Sequence, residues 1–268
     1  MEGPELREAA ARAAETGGRV VREGAGLRSV PEDKGLPGDY VTEIDRASER
    51  VIRGVLEGAT PGVPVLGEEG GRGEGGGEAE AGGRMWVVDP LDGTTNFVHG
   101  FWAVGVSVAL VEDGTPVAGA VHAPFLGVTW MASRGDGARR RRGEGASEPI
   151  RVSDRLPDRA VVATGFPFRH PEQVPRYLRA FGVAFERFED LRRPGAAALD
   201  LAWVADGTFD GFFELGLSSW DVAAGALLIR EAGGMVSDWD GGDGWLSSGD
   251  ILAGWPAVHE ALREMSAS

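Results

Sequence analysis

The chain has 268 residues, 42% of them hydrophobic, enough for one large domain or two closely packed halves around a sizeable core. Its 42 acidic against 27 basic residues leave a net charge of −15, a field that repels nucleic acid and offers anionic lipid no broad attraction. The absence of cysteine excludes disulfides, thiolate metal sites and thiol nucleophiles, leaving carboxylate, histidine, serine or threonine chemistry; any metal is a hard, oxygen-seeking ion or is held by the four histidines.

In chain order, Leu6, Ala9, Ala10, Ala13, Ala14, Val20 and Val21 fall at helical spacing over residues 5–23. The N-terminal stretch has no signal-peptide apolar core, and no later run approaches the roughly 20 apolar residues of a membrane span, so cytoplasmic location is the default expectation. A second helix is predicted over residues 45–56, with Thr42 and Asp45 resembling a helix start. The glycine-rich segment 70–83 has nothing apolar to bury and reads as a mobile surface loop. Strands are predicted at 63–66, 85–88, 103–111, 116–123 and 127–132, with residues 112–115 as a hairpin turn. The basic run Arg139–Arg142, flanked by glycines, reads as a solvated turn between strands. In the second half, strands are predicted at 159–164, at 209–214 and in the MVSD run, and helices at 171–181, 196–206, 220–234 and in the terminal PAVHEALREM run. The rhythm points to layered α and β structure, divided as an N-terminal half (1–150) and a C-terminal half (151–268).

Acidic groups recur where an apolar segment ends or a helix begins: Asp45, Glu68 and Glu69, Asp89 and Asp92, and Asp221. Taken singly, each aspartate reads as a cap or turn residue. The stretch DPLDGTTN at 89–96 asks for more, because Pro90 fixes the backbone between two like charges that repel unless a cation lies between them. The carbonyl of Leu91 is also available to a hard cation. Gly93 lets the chain turn, and amides of Gly93, Thr94 and Thr95 at a helix start suit phosphate. Carboxylates for Mg²⁺ beside amides for phosphate equip a site for metal-assisted phosphoryl transfer. Of the adjacent glutamates, a strand-like backbone points Glu68 and Glu69 opposite ways, and only Glu68 is assigned to metal.

DPLDGTTNF together with WDVAAGALLIREAGG resembles the paired signatures of the inositol monophosphatase family, Mg²⁺-dependent, lithium-sensitive phosphomonoesterases. GEE, VTEID, ATGFPF and RRPGAAALDLAWVADGTFDGFFELGLSSWD fall in the family's order, so the resemblance spans nearly the whole chain. It implies an α+β fold layered as an α-β-α-β-α sandwich, a small phosphorylated substrate such as inositol 1-phosphate, two to three Mg²⁺ ions and a homodimer. By the same resemblance Glu68, Asp89 and the Leu91 carbonyl hold the first ion, Asp89, Asp92 and Asp221 the second, and a third lies near Glu68. Thr94, with Asp45 behind it, orients the attacking water, and amides of Gly93 and Thr94 bind phosphate. Asp92, Gly195, Ala196, Ala197 and Glu214 line the alcohol side. Ala196 departs from the Ser or Thr usual there, which puts sugar preference in doubt.

Superfamily relatives that hydrolyse histidinol phosphate, fructose 1,6-bisphosphate or phosphoadenosine phosphate remain alternatives; Thr95, where several of them carry Lys, leans toward the inositol type. From another class, some bacterial relatives serve as partners of the transcription machinery, and a phosphate-binding module without turnover is a third reading. His99 and His122 lack partners at ligand spacing and read as structural, as do Trp86, Trp220, Trp239 and Trp245. Ser107, Ser153 and Thr164 have no neighbouring base in sequence. Lys34 reads as a solvated lysine in a Gly/Pro-rich loop.

Overall fold

The computed structural model describes residues 1–26, 31–33, 40–72 and 83–267. Lys34 and residues 73–82 of the glycine-rich segment lie outside the described residues. The first half comprises helix α1 (Gly3–Gly24), the short strands β1 (Glu32–Asp33) and β2 (Tyr40–Val41), helix α2 (Glu43–Ala59), and strands β3 (Val65–Gly67), β4 (Gly71–Arg72) and β5 (Arg84–Asp92). A five-residue helix α3 (Thr94–Val98) leads into the meander β6 (Gly105–Glu112), β7 (Thr115–Ala123), β8 (Val128–Ser133), β9 (Ala138–Arg142) and β10 (Glu148–Pro149). The remainder runs β11 (Val161–Thr164), α4 (Val174–Arg187), β12 (Asp190–Arg192), α5 (Ala197–Ala205), β13 (Gly211–Glu214), α6 (Ser219–Glu231), β14 (Met235–Ser237), α7 (Trp245–Ser248), β15 (Ile251–Gly254) and α8 (Pro256–Ser266).

These elements stack as an α-β-α-β-α sandwich. The larger sheet has the order β10-β9-β8-β7-β6-β5-β3-β4, and the smaller β12-β11-β13-β15-β14. Helices α1 and α2 cover the outer face of the larger sheet, α5 and α6 lie between the sheets, and α4 and α8 close the smaller one. Burial on both faces explains why β5, β6 and β7 read as continuous apolar runs rather than alternating ones. The two-residue period survives in which core each side chain enters. Trp86, Val88, Val106, Val108 and Leu110 pack under α1 and α2, whereas Val87, Ala109 and Val111 pack under α5 and α6. That alternation puts Asp89 and its paired neighbour Ser107 on the α6 side. Ser107 confirms it by donating its hydroxyl to the carbonyl of Trp220 (2.9 Å).

The arginine run is not a solvated turn. Residues 138–142 form β9, hydrogen-bonded between β8 and β10, and the pleat sends successive arginines to opposite faces. Arg141 pairs with Glu8 (3.1 Å) and Glu15 (2.9 Å) of α1, while Arg140 pairs with Glu148 (2.6 Å) and Asp206 (3.0 Å). Three of the four opposing acids, Glu8, Glu15 and Asp206, lie more than sixty residues away, so composition in the local window misses most of the neutralisation. The strands β12 and β15 were likewise not expected. Each is only three or four residues long and acquires its pairing from the neighbours β11, β13 and β14.

Helices α5 and α6 approach closely: a Cβ placed on Gly225 would lie 2.4 Å from the Cβ of Leu201. Gly225→Ala improves helix propensity by about 1 kcal/mol, yet the clash involves a backbone-anchored carbon that cannot swing away. The expected net outcome is destabilisation by about 1–2 kcal/mol, read as a lower urea midpoint with an unchanged slope.

Candidate active site

The site forms where β5 ends. Pairing with β6 shifts register between Asp89, opposite Ser107, and Asp92, opposite Gly105. Three steps on β5 therefore oppose two on β6, a bulge that accommodates Pro90 and its missing N–H. The arc is pinned from two directions: the Ser48 hydroxyl of α2 donates to the Pro90 carbonyl (2.9 Å), and the Leu91 amide donates to Asp89 Oδ1 (2.9 Å). Gly93 follows at φ +88°, a left-handed conformation costly for other residues, and turns the chain into α3.

Asp221 comes from the first turn of α6, where Ser218 and Asp221 form a reciprocal capping box and the Ser218 amide donates to Asp221 Oδ2 (2.7 Å). Asp92 Oδ2 accepts the Ala198 amide (2.7 Å) at the start of α5. Asp89, Asp92 and Asp221 thus each present a carboxylate oxygen within 4.8 Å of the other two, and all three are buried. Burial raises the Asp89 carboxyl well above the usual range, with Glu68, Asp92 and Asp221 adding like-charge repulsion. Burial and then the charge of Asp221 push Asp92 up to about 7, and burial and then Glu68 push Asp221 up to about 6. Three buried carboxylates at this spacing suit a hard divalent cation with oxygen ligands.

Glu68 lies outside that tight trio, although it raises the pKa of each member. It stands in the turn between β3 and β4, not on strand-like backbone, so the alternation expected to separate Glu68 from Glu69 does not apply. Asp45 is buried in the first turn of α2 and accepts both the amide (2.8 Å) and the hydroxyl of the cap residue Thr42. Its Oδ1 accepts the Thr94 hydroxyl (3.0 Å), which also lies 3.1 Å from the Leu91 carbonyl. Burial raises the Asp45 carboxyl above its ordinary value against these hydrogen bonds.

Gly195 adopts φ +90°, and Ala196 and Ala197 follow it into the start of α5. A Cβ on Gly93 would lie 3.3 Å from the Ala196 methyl, so the small residue at 196 sits directly against the Gly93 turn. Glu214, half-buried at the end of β13, lays its carboxylate across Gly165, and burial raises its pKa to about 8. The sequence-predicted residues therefore converge from the ends of β5 and β13 and the first turns of α2, α3, α5 and α6.

Three further residues bear on the site, and two of them carry no signal in the local sequence. Asn96 donates its amide to the carbonyls of Ala103 (2.8 Å) and Pro194 (2.9 Å), tying α3 to the Gly195 loop. Asp200 sits inside the apolar run AALDLAWVA; its Oδ1 is buried without a partner, and burial followed by Asp92 and Glu214 raises its carboxyl well above normal. That lone acid in an otherwise apolar helix was the available clue. Arg193 lies over the rings of Phe166 (5.3 Å) and Phe168 (5.6 Å), beside Gly195. Of the other candidates, His122 Nδ1 meets Thr129 Oγ1 (2.9 Å) and burial lowers its pKa to about 4, while Ser153 and Thr164 bond to Asp210 and the Phe213 carbonyl.

The raised carboxyls bind protons more tightly folded than unfolded, so their contribution is complete below about pH 4 and is lost as pH rises through about 6 to 8. Metal-free protein is expected to melt at progressively lower temperature across that window. Added Mg²⁺ should reverse the loss, most strongly at the alkaline end where protons no longer compete. Thermal denaturation at stepped pH, with and without Mg²⁺, checks both; a melting temperature indifferent to Mg²⁺ at alkaline pH contradicts a cation site.

Residues 4–267 match the sequence profile of the inositol monophosphatase family. A protein named putative Nus factor SuhB from Neisseria meningitidis is 41% identical over 256 residues, covering 95% of each chain. Among solved structures, extragenic suppressor protein suhB from Bartonella henselae superposes with a TM-score of 0.87 at 37% identity, covering 97% of each chain. Inositol monophosphatase from Anabaena superposes with a TM-score of 0.82 at 33% identity, covering 97% of this chain and 94% of that one. With fold and sequence in agreement over nearly its full length, the chain belongs to the inositol monophosphatase family.

Proposed function

We propose that this protein is an Mg²⁺-dependent phosphatase that hydrolyses a phosphate monoester of a polyol or sugar, with inositol 1-phosphate as its substrate. The observation that carries this is the convergence of Asp89, Asp92 and Asp221 beside a Thr94 hydroxyl already bonded to a buried carboxylate. Asp89, Asp92 and Asp221 would hold one Mg²⁺, and Glu68, Asp89 and the Leu91 carbonyl another, with a third ion near Glu68. When bound, the ions neutralise charge on the phosphoryl group and stabilise the leaving alkoxide.

The chain's own groups supply position and proton transfer. Thr94 donates its hydroxyl hydrogen to Asp45, which leaves its oxygen free to accept a hydrogen from water and aim that water at phosphorus. The proton the water loses is taken up by the Thr94–Asp45 pair, whose carboxylate is held in place by Thr42. Amides of Gly93 and Thr94 bind the phosphate oxygens. On the alcohol side, Gly195, Ala196, Ala197 and Glu214 face the polyol, and Asp92 spans both sides.

A second role, association with the transcription machinery, is supported by the Nus factor name of the relatives. A homodimer is supported by the exposed Phe101 and Trp102, the latter edge-on to Trp203 at 5.9 Å. Sedimentation of Trp102→Asp against the parent chain tests the dimer, and affinity capture of RNA polymerase by Asp92→Asn tests the transcription role apart from hydrolysis.

Asp92→Asn and Asp221→Asn are each expected to abolish phosphate release from inositol 1-phosphate without loss of fold, and Thr94→Ala to slow it by about 10²–10⁴. Fructose 1,6-bisphosphate, histidinol phosphate and phosphoadenosine phosphate, assayed with and without Mg²⁺ and Li⁺, complete the panel. Full activity in either aspartate variant, or no Mg²⁺-dependent turnover of any substrate, overturns the assignment.

A further inference from the structure

The turn that carries Glu68 is held by a pair of residues that never reach the site. Glu49 of α2 is 4% exposed. Its carboxylate accepts the amides of Glu69 (2.9 Å) and Gly70 (3.0 Å) and the Nε–H of Arg53 (2.8 Å). Arg53 in turn donates to the Val65 carbonyl before the turn (2.8 Å) and to the Gly71 carbonyl after it (2.8 Å). The two side chains therefore grip both arms and the apex of one short turn. The fit is tight: a Cβ on Gly67 would lie 2.4 Å from the Glu49 carboxyl carbon, and one on Gly70 would lie 2.5 Å from Glu49 Oε1.

Helix α2 has a single face doing three related tasks. Asp45, Ser48 and Glu49 stand at i, i+3 and i+4, the spacing that shares a helix face. Asp45 holds Thr94, Ser48 holds the Pro90 carbonyl of the aspartate arc, and Glu49 holds the Glu68 turn. β3 is paired to β5 at three positions and the Glu68 amide donates to the Val88 carbonyl (3.2 Å), but the far arm β4 is joined to β3 at only two, so beyond Glu68 the turn depends on the Glu49 carboxylate and Arg53.

We propose that Glu49, braced by Arg53, is a positioning residue that sets the Mg²⁺ affinity of Glu68 by fixing the turn on which Glu68 stands. This rests on the assignment of Glu68 as a metal ligand. Glu49 has no part in the chemical step, so its loss changes how much Mg²⁺ is needed and leaves the rate at saturation intact. Outer groups that orient metal ligands typically change affinity by about 10–100-fold.

The test is Mg²⁺ titration by calorimetry of the full chain and of Glu68→Gln, Glu49→Gln and Arg53→Lys, followed by phosphate release at limiting and saturating Mg²⁺. The expected result is a Mg²⁺ dissociation constant raised about 10-fold or more in Glu49→Gln and Arg53→Lys, with kcat at saturating Mg²⁺ near that of the parent. Should Glu49→Gln fail to fold, Arg53→Lys, which keeps the charge but loses the forked grip, gives the same readout. Weakened binding in Glu68→Gln with unchanged binding in both brace variants overturns the proposal and leaves the Glu68 assignment standing, even if those variants melt earlier. Unchanged binding in Glu68→Gln overturns that assignment and the proposal with it.

Discussion

Mutual repulsion among Asp89, Asp92 and Asp221 is the constraint on which the rest of the architecture depends. Three carboxylates within 4.8 Å of one another, each nearly out of contact with water, would drive their elements apart in a flexible chain. The structure resists by fixing two of them on the bulged end of β5 and the third on α6, and by donating backbone amides to their oxygens. Leu91, Ala198 and Ser218 supply those amides, two of them from the first turns of helices whose dipoles favour negative charge. The remaining cost appears as raised pKa values, the form in which a protein holds the capacity to exchange protons for a cation.

The sandwich suits this task because its central helices touch both sheets. Helix α6 packs against β5 through β8 on one side and against β14 and β15 on the other, so Asp221 is placed by both sheets at once. Helix α5 does the same for the Ala198 amide that restrains Asp92. On the outer layer, α2 contributes Asp45, Ser48 and Glu49 along one face. The site is thus bounded by layers that cannot shift independently, and the bulge at Pro90 is the local irregularity that lets β5 deliver two aspartates instead of one.

Around this acidic centre, the side formed by the Gly195 loop and Glu214 has a different character. Ala196 presses its methyl toward Gly93, Glu214 crosses Gly165, and the Arg193 guanidinium lies over Phe166 and Phe168. Charge balance there comes from long-range approach of Arg193 and Arg169 to Glu214, opposing the burial that raises its pKa. Asp200, whose Oδ1 has no hydrogen-bond partner and whose carboxyl is raised further by Asp92, adds another acid to the interior.

The sequence by itself determined the long helices, the buried strands of the larger sheet, and the DPLD, DGTTN and WDVAAG segments, because each depends on spacing or turn chemistry within a dozen residues. It also placed two like charges, Asp89 and Asp92, on either side of Pro90 in a short rigid stretch. Only the tertiary structure decided which distant groups meet. It placed Glu68 in a turn outside the tight trio, turned the arginine run into a strand neutralised by Glu8, Glu15, Glu148 and Asp206, and joined Asn96 to Pro194 and Glu49 to the Glu68 turn. Apart from Arg140–Glu148, eight residues apart, those contacts span from about twenty to more than a hundred residues of chain, a distance over which no periodicity or local propensity carries information.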